Sequence, residues 1–205
     1  MITVATLLWS PNVHSHSFSR MYDETWVDKL YQGVARNLTG QFRFVVYTDR
    51  ARKFGWPVEQ KRIAQKTPNY GACIQPYELN EPMILVGLDT IICGNIDHLA
   101  EYCLTENVIA LPRDPYHTET VCNGVALVPA GKRYVWETFG GGDDDMRHMQ
   151  RQKHRVIDDL WPGHVVSYKA HYCRNGHGDA RIVYFHGEGK PDRLADKDLI
   201  KQHWL

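Results

Sequence analysis

Residues 2–9 form an almost unbroken apolar run that stops at Ser10-Pro11-Asn12. A run this short and this apolar predicts a buried β-strand. A polar loop with His14 and His16 follows, after which Trp26, Leu30 and Val34 recur every four residues and lay one apolar stripe along a helix over 25–36. Asn37 and Gly40 end that helix. Residues 42–48, aromatic and β-branched and closing on Asp49, predict a second strand. A third runs over 83–88, broken only by Gly87 and continued by 90–92, so that Asp89 arrives near its carboxyl end. Asn95 or Asp97 can then cap a short helix through Leu99 and Tyr102. Segments 108–111, 125–128, 165–168 and 182–185 read as further strands, and 132–139 as a helix. Gly140 to Gly142 form a flexible break, and 143–160 reads as a polar helical region with its acidic residues placed favourably at the start.

Strands that alternate with helices, and that are apolar on both faces, predict an α/β fold with a mainly parallel central sheet flanked by helices. Ligands of such sheets bind beyond the carboxyl ends of the strands, so polar residues that follow apolar strands are the first candidates for a site. No repeat, low-complexity stretch or linker interrupts the chain, and residues 1–205 are expected to form a single domain.

Composition narrows the function classes. Lys plus Arg and Asp plus Glu each total 24, and a net charge of zero argues against a general nucleic-acid binder. The cysteines number five, an odd count without a C-x-x-C pair, which predicts reduced thiols and a cytoplasmic location. The amino terminus lacks the basic segment of a signal peptide, and no apolar run approaches the ~20 residues of a membrane span. No integral membrane segment is expected.

Two segments carry candidate chemistry. Asp89 follows a buried strand, where a carboxylate is costly unless a cation or hydrogen-bond donors meet it; a divalent ion bridging phosphates and a cap on the next turn are both open readings. Near the carboxyl terminus a strand ends on Phe185-His186-Gly187-Glu188-Gly189-Lys190-Pro191. Its glycines allow close backbone approach, Lys190 suits a phosphate, and His186 can ligate a metal; a surface turn with a solvated lysine is the plainer reading.

Taken together, these segments resemble glycosyltransferases of the glycogenin-like GT-A group, in particular its small prokaryotic and phage-type members. The matching stretches are Phe42-Arg43-Phe44-Val45-Val46-Tyr47-Thr48-Asp49, Gly87-Leu88-Asp89-Thr90, Gly94-Asn95-Ile96-Asp97-His98-Leu99, Cys122-Asn123-Gly124-Val125, Ser167-Tyr168-Lys169, and Phe185 to Pro191. They occur in consistent order over nearly the whole chain. The resemblance implies a GT-A fold and transfer of a sugar from a nucleotide-diphosphate donor, a UDP-sugar, to a hydroxyl on a carbohydrate, lipid, protein or nucleic-acid-base acceptor. Asp89 corresponds to the second acid of the family's D-x-D motif and, with His186, would hold Mn²⁺ or Mg²⁺. Lys190 and Gly187 would meet the diphosphate, with Leu88 beside them. Leu8, Trp9, Thr48 and Asp49 would face the nucleoside, and Asn123 and Gly124 the transferred sugar. Asp143 and Asp144 fall where the family carries an acid–glutamine pair, and Asn123 or an acid from Asp143 to Asp145 would orient sugar or acceptor. The chain departs from the pattern twice. Gly87 replaces the first D-x-D acid, with Asp114 as a neighbouring acid that could substitute, and Asn69-Tyr70-Gly71-Ala72-Cys73 lacks the family's lysine.

Gly87 keeps a second reading open, a non-catalytic nucleotide-sugar binder. A nucleotidyltransferase would need a Gly-rich basic loop after the first strand, where this chain has Trp9-Ser10-Pro11-Asn12-Val13. A zinc hydrolase would draw on His14 and His16, or on His171, Cys173 and His177, at spacings that match no standard zinc site. Trp26, Trp56, Trp136 and Trp161 suit packing roles. The tail from Asp192 to Leu205 reads as a packing helix or an acceptor-side element.

Overall fold

The computed structural model describes residues 1–142, 144–194 and 197–205. Its strands in chain order are β1 (Ile2–Leu8), β2 (Phe42–Thr48), β3 (Glu59–Arg62), β4 (Met83–Val86), β5 (Ile91–Ile92), β6 (Ile109–Leu111), β7 (Val125–Val128), β8 (His154–Val156), β9 (Val165–Ser167) and β10 (Ile182–Tyr184). Seven of them form a sheet in the order β3-β2-β1-β4-β7-β6-β8, and the others form a smaller sheet, β5-β10-β9. The larger sheet is mainly parallel. β1 pairs with β2 along its whole length, from Ile2 opposite Phe42 to Leu8 opposite Thr48, and with β4 on its other side. β7 alone runs against its neighbours β4 and β6, and this brings the start of β7 beside the end of β4, Val125 opposite Val86.

The helices are α1 (Glu24–Asn37), α2 (Asp97–Thr105), the single turns α3 (Tyr134–Glu137), α5 (Ile157–Leu160) and α6 (Cys173–Asn175), the short α4 (Asp145–Gln150), and α7 (Asp198–His203). No helix among the described residues is long and apolar enough to cross a membrane. Asp23 caps α1 by accepting the Thr25 N–H at 3.0 Å, and the stripe of Trp26, Leu30 and Val34 lies buried against the sheet. At its far end the Asn37 side chain donates to the Ile92 carbonyl at 3.1 Å, tying α1 to the smaller sheet. One apolar core fills the α1 and α2 face of the large sheet. A second fills the opposite face, against the 3-10 helical segment Tyr70–Leu79 and α3.

Several expected elements change. The run over 83–92 is two strands in different sheets, because a turn at Gly87, closed by Thr90 N–H to the Gly87 carbonyl at 3.1 Å, redirects the chain. The polar helix expected over 143–160 holds only α4 and the single turn α5, with β8 between them. β8 is an edge strand with mixed exposure, so its sequence pattern imitates a surface helix. The helix over 132–139 contracts to α3. The tail helix is a packing element: Trp204 meets Trp26 edge-on at 4.8 Å, under the Lys29 ammonium at 4.4 Å from its ring. Trp26 is core, whereas Trp56 is 44% exposed and stacks on Tyr31 at 5.4 Å. The cysteines are all free.

Arg52 binds together the ends of the first two strands. Its side chain, 3% exposed, pairs with Glu24 at 2.8 Å and Asp49 at 2.7 Å. It also donates to Thr48 Oγ1 at 2.7 Å and Ser10 Oγ at 3.1 Å. Burial works to raise the Asp49 pKa, but hydrogen bonds from Arg52 and Ser10 outweigh it and hold it at about 2. That stabilisation is present above the ordinary 3.8 and is lost as pH falls through about 2. Arg52→Ala strips both carboxylates of their partner. Since both keep some solvent, the expected loss is about 2 kcal/mol, or about 4–8 °C in melting temperature. A urea titration giving a loss below about 0.5 kcal/mol would show that this cluster contributes nothing net.

Candidate active site

A cavity of about 460 Å³ opens where β1 and β4 end, β7 begins and β10 leaves the smaller sheet. Reversal of β7 is what brings Asn123 and Gly124 to the carboxyl ends of the parallel strands. The cavity is bordered by Leu8 and Trp9 after β1, by Gly87, Leu88 and Asp89 after β4, and by Asn123 and Gly124 before β7. His186, Gly187 and Lys190, after β10, close the opposite wall. Gly187 sits at φ +60°, in the left-handed region that a side chain at this position would resist.

Lys190 and Asp89 are the charged centre. They are 3% and 9% exposed and form an ion pair between Nζ and Oδ2. Tyr22 donates its hydroxyl to the same oxygen at 3.0 Å, and burial first, then the Asp89 charge, pushes the Tyr22 phenol far above its ordinary value. The other carboxylate oxygen lies 3.0 Å from where a Cβ on residue 87 would stand. Glycine at 87 is therefore fitted to this orientation of Asp89, and any side chain there would press on it.

Asp145, the first residue of α4, also lines the cavity. Burial raises its pKa to about 6, although Asn123 Nδ2 donates to its Oδ2 at 2.7 Å and backbone N–H groups also favour the ionised form. His186 bonds through Nε2 to the buried Ser167 Oγ at 2.8 Å and meets the Tyr116 ring edge-on at 5.2 Å. Its pKa is lowered by burial first, then by Lys169 and Lys190, which keeps the ring neutral at pH 7. A group of apolar side chains, Cys73, Ile74, Leu85 and Met149, completes the wall with Tyr77.

Of the residues expected at the site, the cavity gathers Leu8, Trp9, Leu88, Asp89, Asn123, Gly124, His186, Gly187 and Lys190. Thr48 and Asp49 are held by Arg52 and are not among its lining residues. Asp144 caps α4, accepting the Arg147 N–H at 2.9 Å and pairing with that guanidinium at 3.0 Å, and it too stands outside the lining. Asp143 lies outside the described residues. Of the acids in that stretch, Asp145 is the one shown in the cavity, and Asp114 also borders it. Tyr22 and Tyr77 were not anticipated: neither sits in a segment with an apolar period or a motif to mark it.

Among the described residues no group of three or more His, Cys, Asp or Glu side chains comes together as a metal-binding set. Asp89 already meets Lys190 and Tyr22, and His186 meets Ser167. This donor set does not fit a divalent ion without rearrangement. The histidines of the alternative zinc reading are dispersed: His14 is exposed, His16 stacks on Tyr70 at 5.4 Å, and His177 stacks on His203 at 5.9 Å.

No family model and no curated protein sequence matches the chain. Solved structures do. The glycosyltransferase GlyE of Streptococcus pneumoniae TIGR4 superposes with a TM-score of 0.58 at 12% identity, over 94% of this chain and 56% of that one. The bifunctional glycosyltransferase WbbM gives 0.63 at 8% identity, over 98% of this chain and 50% of that one. An active-site mutant of LgtC gives 0.57 at 8% identity, over 92% and 89%. This chain thus spans about half the length of GlyE and WbbM. What it shares with all of them is the fold, a GT-A-like α/β sheet flanked by helices.

Proposed function

We propose that residues 1–205 form one catalytic domain, a glycosyltransferase that takes a sugar from a nucleotide-diphosphate donor, a UDP-sugar, and passes it to an acceptor hydroxyl. The observation that carries this reading is a single cavity at the carboxyl ends of the parallel strands. It holds a buried ammonium, Lys190, together with a separate, partly desolvated carboxylate, Asp145. The GT-A-like fold shared with solved glycosyltransferases supports it, and the ordered sequence motifs favour the glycogenin-like group.

Transfer breaks the bond between the anomeric carbon and the phosphate oxygen. Negative charge grows on the departing diphosphate and positive charge on the sugar ring. Lys190, released from Asp89 towards the phosphates, stabilises the first. Asp145, ionised above pH about 6 and aligned by Asn123, stabilises the second or receives the acceptor proton. His186, neutral and bonded to Ser167, orients rather than neutralises charge. Retention of anomeric configuration is the outcome that the glycogenin-like reading implies. Manganese or magnesium beside Asp89 would require Lys190 to move away, and the diphosphate is assigned here to Lys190.

Calorimetry with UDP and GDP, each with Mn²⁺ and with chelator, tests the reading. UDP is expected to bind with a Kd on the order of micromolar, changed less than threefold by the metal. A Kd beyond about 1 mM for both nucleotides sinks the donor assignment. The replacement of the first D-x-D acid by Gly87 favours one alternative, a nucleotide-sugar binder without turnover; it predicts the same UDP affinity and no release of UDP from any UDP-sugar.

A further inference from the structure

The cavity joins two environments. Lys190 and Asp89, with the neutral His186, line its polar part. Its other part is walled by Cys73, Ile74, Tyr77, Leu85 and Met149, most of which belong to the apolar core on the opposite face of the large sheet. Tyr77 is 1% exposed, and its hydroxyl finds no hydrogen-bond partner among the described residues. Buried hydroxyls are rarely left unbonded, and this one belongs to a side chain that borders open space. Asp145 lines the same cavity. It is bonded to Asn123 and lies close enough to act on the recess: burial first, then Tyr134 and Asp145, pushes the Tyr77 phenol upward, and burial followed by Asp145 does the same to the Cys73 thiol.

We propose that this recess receives the N-acetyl group of the donor sugar, so that the chain uses a UDP-linked 2-acetamido sugar. The inference rests on the donor reading above and sharpens it. An acetamido group carries a methyl, one strong acceptor and one donor. The recess offers apolar walls for the methyl, the unbonded Tyr77 hydroxyl for the carbonyl oxygen, and the Asp145 carboxylate for the amide N–H. A plain hexose would place in the same space a hydroxyl with no methyl to fill it, leaving the apolar walls unsatisfied. A site built to bond one polar group, with an apolar wall behind it, discriminates against analogues that lack both features.

Binding of UDP, UDP-glucose, UDP-galactose, UDP-N-acetylglucosamine and UDP-N-acetylgalactosamine is measured by calorimetry on the wild type and on Tyr77→Phe. At least one acetamido donor is expected to bind about tenfold tighter than its hexose counterpart. Tyr77→Phe keeps the ring and removes only the hydroxyl, so its unliganded melting temperature is expected to hold or rise. It is expected to remove most of the acetamido preference while changing UDP and UDP-hexose affinities less than about twofold. If UDP binds but hexose donors bind as tightly as acetamido donors, or if Tyr77→Phe weakens both alike, the recess is not an acetamido pocket and the donor reading survives without it. If none of the five binds, the donor reading falls and takes this inference with it.

Discussion

Lys190→Met is expected to weaken UDP binding about 100-fold and to destabilise the unliganded protein by about 3 kcal/mol. The side chains of Lys190 and Asp89 are 4% and 12% exposed, so removing the ammonium leaves a carboxylate with little solvent and only the Tyr22 hydroxyl on its paired oxygen. Breaking one side of a buried pair costs more than the pair contributes, because the remaining charge keeps its desolvation penalty. Affinity falls for a separate reason: a diphosphate entering the cavity loses the cation it would exchange for Asp89. The double variant Asp89→Asn/Lys190→Met separates the two effects. With no charge left unpaired, its stability is expected within about 1 kcal/mol of the wild type, while UDP affinity stays about 100-fold down. Urea unfolding and calorimetry read these quantities independently. Wild-type affinity in the single variant would show that the phosphates do not lie at Lys190, whatever the stability result.

The part of this arrangement that could be read from the chain is the part written in apolar runs. The stretch from Ile2 to Leu8 is buried residue for residue and pairs on both sides, and its only polar residues, Thr3 and Thr6, are β-branched and fit a buried strand, so the reading was not confused. The same holds for Val125–Val128 and for the stripe along α1. β3 was invisible for the opposite reason. Glu59-Gln60-Lys61-Arg62 pairs only with β2, at the sheet edge, where charged side chains protect an open strand rather than mark it. Tyr70–Leu79 escaped because its apolar residues follow a 3-10 geometry with Pro76 inside, which has neither helical nor strand period. That gap matters for the site, since this segment supplies Cys73, Ile74 and Tyr77. Asp89, Asn123, His186 and Lys190 were legible because each stands directly after or before an apolar strand or in a motif. Choosing Asp145 over Asp144 required the three-dimensional start of α4: one residue caps the helix outward, and the next turns into the cavity.

That choice carries the second large effect. Asp145→Asn is expected to lower sugar transfer by on the order of 10²–10³-fold and, at pH 8, to make the protein more stable by about 1–2 kcal/mol. The sign follows from the raised pKa. In the folded protein Asp145 holds its proton up to about 6, against an ordinary 3.8, so protonation favours the fold. This contribution is full below 3.8 and lost as pH rises through about 6, after which a desolvated carboxylate works against stability. The difference between those values corresponds to about 3 kcal/mol at most, and an amide, neutral at every pH, recovers part of it. The stability gain should therefore grow from pH 4 to pH 7 and then level off. Activity runs the other way: kcat/KM of the wild type is expected to rise through pH about 6 as Asp145 ionises, and that limb should vanish in the variant. Melting temperatures from pH 4 to 8 and the pH profile of UDP release from a UDP-sugar measure both. A variant with the stability gain but undiminished turnover would place Asp145 in the wall and leave the charge on the sugar to another group. Loss of turnover together with the gain would mean that the chain gives up stability to keep an anion where the reaction needs one.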